Sequence, residues 1–234
     1  ALSLRCIPQL HGAAKKTLSD ALKTIEIEMN SCCDNPIIWP EGEDGEAISG
    51  CNADSSYVGI EMDCACIAAT MIGKMSERRN NRLVDGNLSG YPWFLIKKPG
   101  LNSGLMIPQY TQTGLLNDMK ILSHAATVDG IPTCGNQEDY VAMGYNASKK
   151  AKQIVEKLEY ILAIELLSIF QAHQYVEGSL LPGAVSRAVI EEISKTVPAM
   201  EEDIYLYSHI NTLKELIDSG KIIDLAEEIV GELI

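Results

Sequence analysis

The chain has 234 residues, 46% of them hydrophobic, which is enough to bury a core and makes one domain over 1–234 the default count. Its 19 Lys and Arg against 32 Asp and Glu leave a net charge of −13, which repels nucleic-acid phosphates and anionic membrane surfaces and excludes both as partners. The seven cysteines are odd in number, with no Cys-x-x-Cys pair and no histidine beside them, and fit reduced thiols in the cytosol better than a disulfide framework or a metal site.

Along the chain, Leu18, Leu22, Ile25 and Met29 stand at i, i+4, i+7 and i+11, with Lys15, Lys16, Lys23 and Glu26 mostly between them. That spacing predicts an amphipathic helix ending near Cys33. Residues 34–54 hold Pro36, Pro40, Gly42, Gly45 and Gly50 with Glu41, Glu43, Asp44 and Glu46, a breaker-rich acidic loop with room only for short strands. From Ser55 to about Leu83 there is no proline, and Val58, Met62, Ala65, Ala69, Ile72 and Met75 form an apolar stripe, so one long helix is expected. Its small residues Ala65, Ala68, Ala69 and Gly73 let another helix come close. Cys64 and Cys66, two apart on that helix, point away from each other and read as core fillers. Arg78, Arg79 and Arg82 alternate with Glu77 and Asp85, the pattern of a solvated or subunit-facing ion-pair network.

Residues 86–107 are loop-rich, with Tyr91, Trp93 and Phe94 as anchors of a surface loop. Helix is expected again from Gln109 to about Val128, and residues 129–138, with Gly130, Pro132 and Gly135, are expected to be irregular. The longest helix is expected from Asp139 to about Glu177, apolar nearly all round between Ile161 and Phe170. Its most apolar run, Tyr160 to Ala172, contains Glu165 and falls short of the ~20 residues a membrane span needs. Over 180–234, short helices are expected at Ala184–Lys195, Met200–Tyr207, Ile210–Ser219 and Ile223–Leu233. His11, His124, His173 and His209 are scattered without metal-ligand spacing, so no metal is expected. With no sustained alternation the fold class is all-α. Helices of ~25 to 40 residues exceed the average two- to threefold, so an elongated bundle completed by other copies or by a second chain is expected.

Several strings occur in one order. SLRCIPQLHG runs from Ser3 to Gly12, SCCDNP from Ser31 to Pro36 and SERRNNRLVD from Ser76 to Asp85. Between Pro99 and Gly144 stand PGLNSGLMIPQY and SHAATVDGIPTCGNQEDYVAMG. Together they resemble, in order and rough spacing, the C-terminal half of the histidine and phenylalanine ammonia-lyase family. The resemblance implies a helical bundle that assembles into tetramers, and elimination of ammonia from an L-amino acid by a methylidene-imidazolone electrophile. In the family that ring arises from an Ala-Ser-Gly triplet of the N-terminal half, and no such triplet occurs here. The chain is therefore expected to be half of an enzyme, with no cofactor of its own and the electrophile supplied by a partner or a missing N-terminal segment. Ala1 rather than Met as first residue fits a processed, truncated or recombinant product.

By the same resemblance Arg5 matches the arginine that pairs with the substrate carboxylate, a role suited to a planar guanidinium. Glu138 falls where histidine-specific members carry a glutamate on the imidazole, as a side-chain contact or acid/base group; the alternative is that Glu138 and Asp139 merely open a helix. Asn136 and Gln137 are further substrate-binding candidates, or helix caps, and the loop Gly100, Asn102, Ser103, Gly104 is expected near the site. The pocket also departs from the family. Leu2 stands where the family has an active-site tyrosine, Ala53 where an aromatic shapes the pocket, and Asp54 where a histidine is expected. Three functions are compatible with these residues: half of an amino-acid ammonia-lyase or aminomutase, a non-catalytic assembly subunit, or an amino-acid-binding protein.

Overall fold

The computed structural model describes residues 1–41 and 43–233; Gly42, one of the breakers of the acidic loop, and Ile234, the end of the 180–234 region, lie outside the described residues. The fold is all-α, with nine α-helices and one short hairpin among the described residues. The residues gather into two compact units: a first made of Ala1–Cys6, Gly73–Asp118 and the chain from Glu156 onward, and a second made of Ile7–Ile72 and Met119–Val155.

After a single-turn α1 (Leu2–Arg5), α2 runs over Ile7–Met29. Pro8 falls in its first turn, where a missing N–H leaves no bond unmade. The helix stops four residues before Cys33 because polar side chains take its last carbonyls: Asn30 Nδ2 donates to Glu26 O at 2.7 Å and Ser31 Oγ to Ile27 O at 2.6 Å. The acidic loop carries an antiparallel hairpin, β1 (Ile37–Trp39) against β2 (Glu46–Ile48), with Ile37 opposite Ile48 and Trp39 opposite Glu46. The long helix α3 spans Ser56–Val84, within a residue of its expected bounds at each end. Its stripe of small residues is buried, and burial pushes the Cys66 thiol up to about 11, as befits an inert core filler.

In the first unit, α4 (Gly86–Ser89) is capped by Asp85, whose carboxylate accepts the Asn87 N–H at 2.9 Å. The segment leading from α4 toward the next helix is exposed over 97–101, with Tyr91 and Phe94 packed against the core as anchors, but it also sends residues fully inside. Leu95 and Ile96 are wholly buried and join Leu105, Leu167, Phe170, Met200 and Leu213 in the main hydrophobic core. The amide of Gln171 makes this possible: Nε2 donates to Leu95 O at 3.0 Å and Met200 O at 2.9 Å, and Oε1 accepts the Met200 N–H at 2.9 Å. Buried backbone groups outside a helix need such partners. Arg79 forks onto Glu165 through bonds of 2.5 and 2.8 Å, so its pairing is a half-buried bridge to a distant helix rather than a surface network on its own.

Helix α5 covers Met106–Leu122, six residues shorter than expected at its C-terminal end, and α6 covers Gly144–His173 rather than starting at Asp139 and reaching Glu177. The lost turns are held in other ways. Thr127 gives both its N–H and its hydroxyl to Asp63 at 2.9 Å, Thr133 N–H donates to Glu138 O, and Met143 takes a left-handed φ of 52°. Asp63 also receives Lys150 Nζ at 2.8 Å, and Lys150 reaches His124 O as well. Helices α7 (Ala184–Ser194), α8 (Tyr207–Asp218) and α9 (Lys221–Val230) end the chain. The helix expected over Met200–Tyr207 does not form. The Met200 backbone is committed to Gln171, and Asp203 accepts the N–H groups of Ser103 and Gly104 at 2.7–3.0 Å. No helix among the described residues is long and apolar enough to cross a membrane.

Candidate active site

The second unit contains a polar cavity of about 680 Å³ walled by irregular segments that meet the starts of α3 and α6. Asp34 and Asn35 come from the turn after α2, Cys51, Ala53 and Asp54 from the segment after β2, and Gln137, Glu138, Tyr140, Tyr145 and Asn146 from the entry to α6. Each segment is pinned by its own side chains. Asn35 Oδ1 accepts the Gly50 N–H at 3.1 Å, the Asp54 carboxylate accepts the Ser56 N–H at 2.9 Å at the head of α3, and Ser56 Oγ lies 2.8 Å from Tyr140 OH. Gly144 is in the tightest place: a Cβ there would run into the Ser55 hydroxyl and stand 2.6 Å from the Ser55 Cβ, so only glycine lets α6 begin against the head of α3.

Glu138 faces the cavity with its carboxylate held by the Thr133 hydroxyl at 2.8 Å, beside the backbone bridge between the same two residues. Three carboxylates (Asp34, Asp54, Glu138) and two phenols (Tyr140, Tyr145) line the space, and no Lys, Arg or His is among the lining residues. Such a wall favours a ligand that brings positive charge or hydrogen-bond donors.

Of the residues singled out from the sequence, Ala53, Asp54, Gln137 and Glu138 come together in this cavity. Asn136 precedes them with a left-handed backbone (φ 68°) and is not among the lining residues. Since α6 begins at Gly144, Asn136, Gln137, Glu138 and Asp139 are neither its caps nor its first turn. Leu2 and Arg5 belong to the first unit, both exposed on α1, and the Arg5 guanidinium has no partner among the described residues. The loop Gly100–Gly104 also belongs to the first unit, tied down by Asp203. Tyr140 is a lining residue that sequence reasoning missed. A helix expected from Asp139 sets residues two apart on different faces, whereas non-helical extended backbone turns them to one side.

The cavity has the size of small-molecule sites and is walled by loops on a long-helix frame. The aromatic amino acid lyase family model matches residues 1–195, and the chain belongs to that family. It is 42% identical over 233 residues to a histidine ammonia-lyase of Alkaliphilus metalliredigens and 40% identical over 234 residues to histidine ammonia-lyase 2 of Fusobacterium nucleatum. In both cases it aligns along 100% of its own length and covers 45% of the relative's. The crystal structure of histidine ammonia-lyase from Trypanosoma cruzi superposes with a TM-score of 0.92 at 34% identity, over 97% of this chain and 44% of that one. Tyrosine aminomutase from Streptomyces globisporus gives 0.89 at 31%, over 97% and 43%. The chain thus spans about 45% of the length of the relatives it matches.

Proposed function

We propose that the chain is the C-terminal part of an ammonia-lyase that eliminates ammonia from a histidine-like L-amino acid, and that it turns over only beside an N-terminal half. The observation that carries this reading is the placement of Glu138 in the cavity, oriented by Thr133, with Gln137 and Ala53 beside it. The 234 residues hold no Ala-Ser-Gly triplet, so these residues do not form the family's ring themselves. When supplied by the partner, a methylidene-imidazolone provides the electrophile. This chain's residues bind and orient. Arg5, in the first unit, is the guanidinium that the family resemblance offers for a substrate carboxylate, which it can hold with two parallel hydrogen bonds. Glu138 receives the donor nitrogen of the side chain or takes up a proton, its Oε2 already fixed by the Thr133 hydroxyl. Gln137 adds an amide partner, and Leu2 and Ala53 leave room where the family carries rings.

The test is reconstitution. The chain is combined with an N-terminal half carrying the triplet and assayed on L-histidine and other polar amino acids. Each half alone is expected to be silent, and the pair active. Arg5→Ala and Glu138→Gln in the pair are each expected to lower kcat/KM by about 100-fold or more. Full turnover without the guanidinium removes the carboxylate assignment. A second reading, a non-catalytic assembly subunit, is favoured by Leu2, Ala53 and Asp54, which replace a tyrosine, an aromatic and a histidine; it predicts that the pair assembles and stays silent on every amino acid.

A further inference from the structure

Glu138 and Tyr140 reach the cavity from one stretch of non-helical, extended backbone. Residues two apart on such backbone stand about 7 Å from each other and point to one side, so the carboxylate and the phenol turn into the same space. Each is held from behind. Thr133 occupies Glu138 Oε2 at 2.8 Å, and Oε1 has no partner among the described residues. The Tyr140 hydroxyl lies 2.8 Å from the hydroxyl of Ser56, the first residue of α3, whose N–H is taken by Asp54 at 2.9 Å. Ser56 Oγ has no other partner among the described residues. It can therefore give its proton to the phenol oxygen and leave the phenol's own proton for a ligand. Tyr145, the other phenol of the wall, is exposed on α6 and has no hydrogen bond among the described residues to orient it.

We infer that Tyr140 is a specificity-determining residue: Glu138 accepts from one nitrogen of an imidazole side chain while the Tyr140 hydroxyl bonds the other. This rests on the lyase reading and extends it to the second edge of the ring. A neutral imidazole carries one N–H donor and one lone-pair acceptor, on separate nitrogens. An ionised carboxylate can only accept, so the nitrogen facing Glu138 keeps the proton and the other presents its lone pair. A donor is needed there. The phenol supplies it, and Ser56 behind it strengthens the bond, because a hydroxyl that accepts a hydrogen bond donates a better one. The spacing agrees, since a small ring with a hydrogen bond at each of two nitrogens spans about the distance between side chains two apart on extended backbone. Selection follows from what other rings leave undone. A pyrrole satisfies Glu138 and strands the phenol, and a phenyl ring strands both, the circumstance in which a site built to hydrogen-bond its ligand rejects an analogue.

NMR titration of the complete chain with imidazole, and with pyrrole as the ring that has the N–H but no second nitrogen, tests this directly. The wild-type chain is expected to bind imidazole about 10-fold more tightly than pyrrole. Tyr140→Phe removes the hydroxyl alone; it is expected to weaken imidazole by about 10-fold and to leave pyrrole unchanged, which also shows that the cavity keeps its shape. Ser56→Ala is expected to weaken imidazole by a smaller factor, about threefold. In the reconstituted pair, Tyr140→Phe is expected to raise KM for L-histidine by about 10-fold with little change in kcat, and to narrow the preference for L-histidine over its pyrrole analogue. A wild-type chain that binds no imidazole or binds both rings equally, or a Tyr140→Phe chain that binds imidazole as wild type does, overturns the proposal. So does a Tyr140→Phe chain that loses both rings alike, since the hydroxyl then acts on the shape of the cavity. A pair that assembles and turns over no amino acid removes the lyase reading, and the two-ring titration still decides whether Tyr140 holds the second nitrogen.

Discussion

Residues 90–105 of the first unit and 131–143 of the second are both irregular, yet the one sends apolar side chains at both its ends into a core while its middle, 97–101, stays exposed, and the other lies mostly open to water. In the first, Leu95, Ile96 and Leu105 are fully buried, and the buried backbone they bring with them is satisfied by Gln171. In the second, residues 131–140 are exposed throughout and are shaped by a few local bonds, chiefly the two that Thr133 makes to Glu138. Irregular backbone can therefore serve two ends. Where every polar group finds an internal partner it fills space as a helix would; where polar side chains are left facing a cavity it presents them to a ligand.

The contrast is broken most forcefully at Gln171. Gln171→Leu keeps the volume but strands both polar groups of Met200 and leaves Leu95 O only the Tyr175 hydroxyl, and should lower the unfolding free energy by about 3 kcal/mol in urea titrations. If the loss is small, the buried segment is held by packing alone. Next in size is Gly144→Ala, whose Cβ collides with Ser55 and should cost about 1–3 kcal/mol; Gly12→Ala, at a helical glycine with nothing within 4 Å, should instead stabilise by about 0.5–1 kcal/mol.

The smallest effect is one of pH. Burial alone would raise the Asp63 pKa, but the Lys150 ammonium and the donors of Thr127 and Ala126 outweigh it and hold the carboxyl below its ordinary value. A group depressed in the folded state stabilises above its unfolded pKa, and that contribution drains away as pH falls through the folded value. Stability measured from pH 6 downward should therefore drop below about pH 4, and Asp63→Asn should flatten that part of the curve.

Much of the fold was legible because it follows local periodicity. The absence of proline and the apolar stripe from Val58 to Met75 located α3 almost to the residue. The failures share one physical cause: hydrogen bonds outside the helical pattern, some local and some long-range, overrode helical preference. Nothing in Asp139–Met143 forbids a helix, yet the Val141 backbone runs so close to Gly130 that a Cβ there would stand 3.1 Å from Val141 O, and Thr133 holds Glu138, so α6 waits until Gly144. Met200–Tyr207 has a passable helical pattern, but its polar groups were already engaged by Gln171 and by residues 102–104. The lining of the candidate cavity was legible only in part. Ala53, Gln137 and Glu138 were read from family resemblance, whereas Asn35, Tyr140 and Tyr145 enter only because two distant irregular segments converge.

The two tryptophans happen to divide between the units, Trp39 on the hairpin of the second and Trp93 beside α4 in the first, both partly exposed. This gives the molecule an internal pair of optical probes. In a Trp93→Phe background, emission reports from the cavity-bearing unit alone, and in a Trp39→Phe background from the core-bearing unit alone. The order in which heat or denaturant quenches the two signals would show which unit yields first.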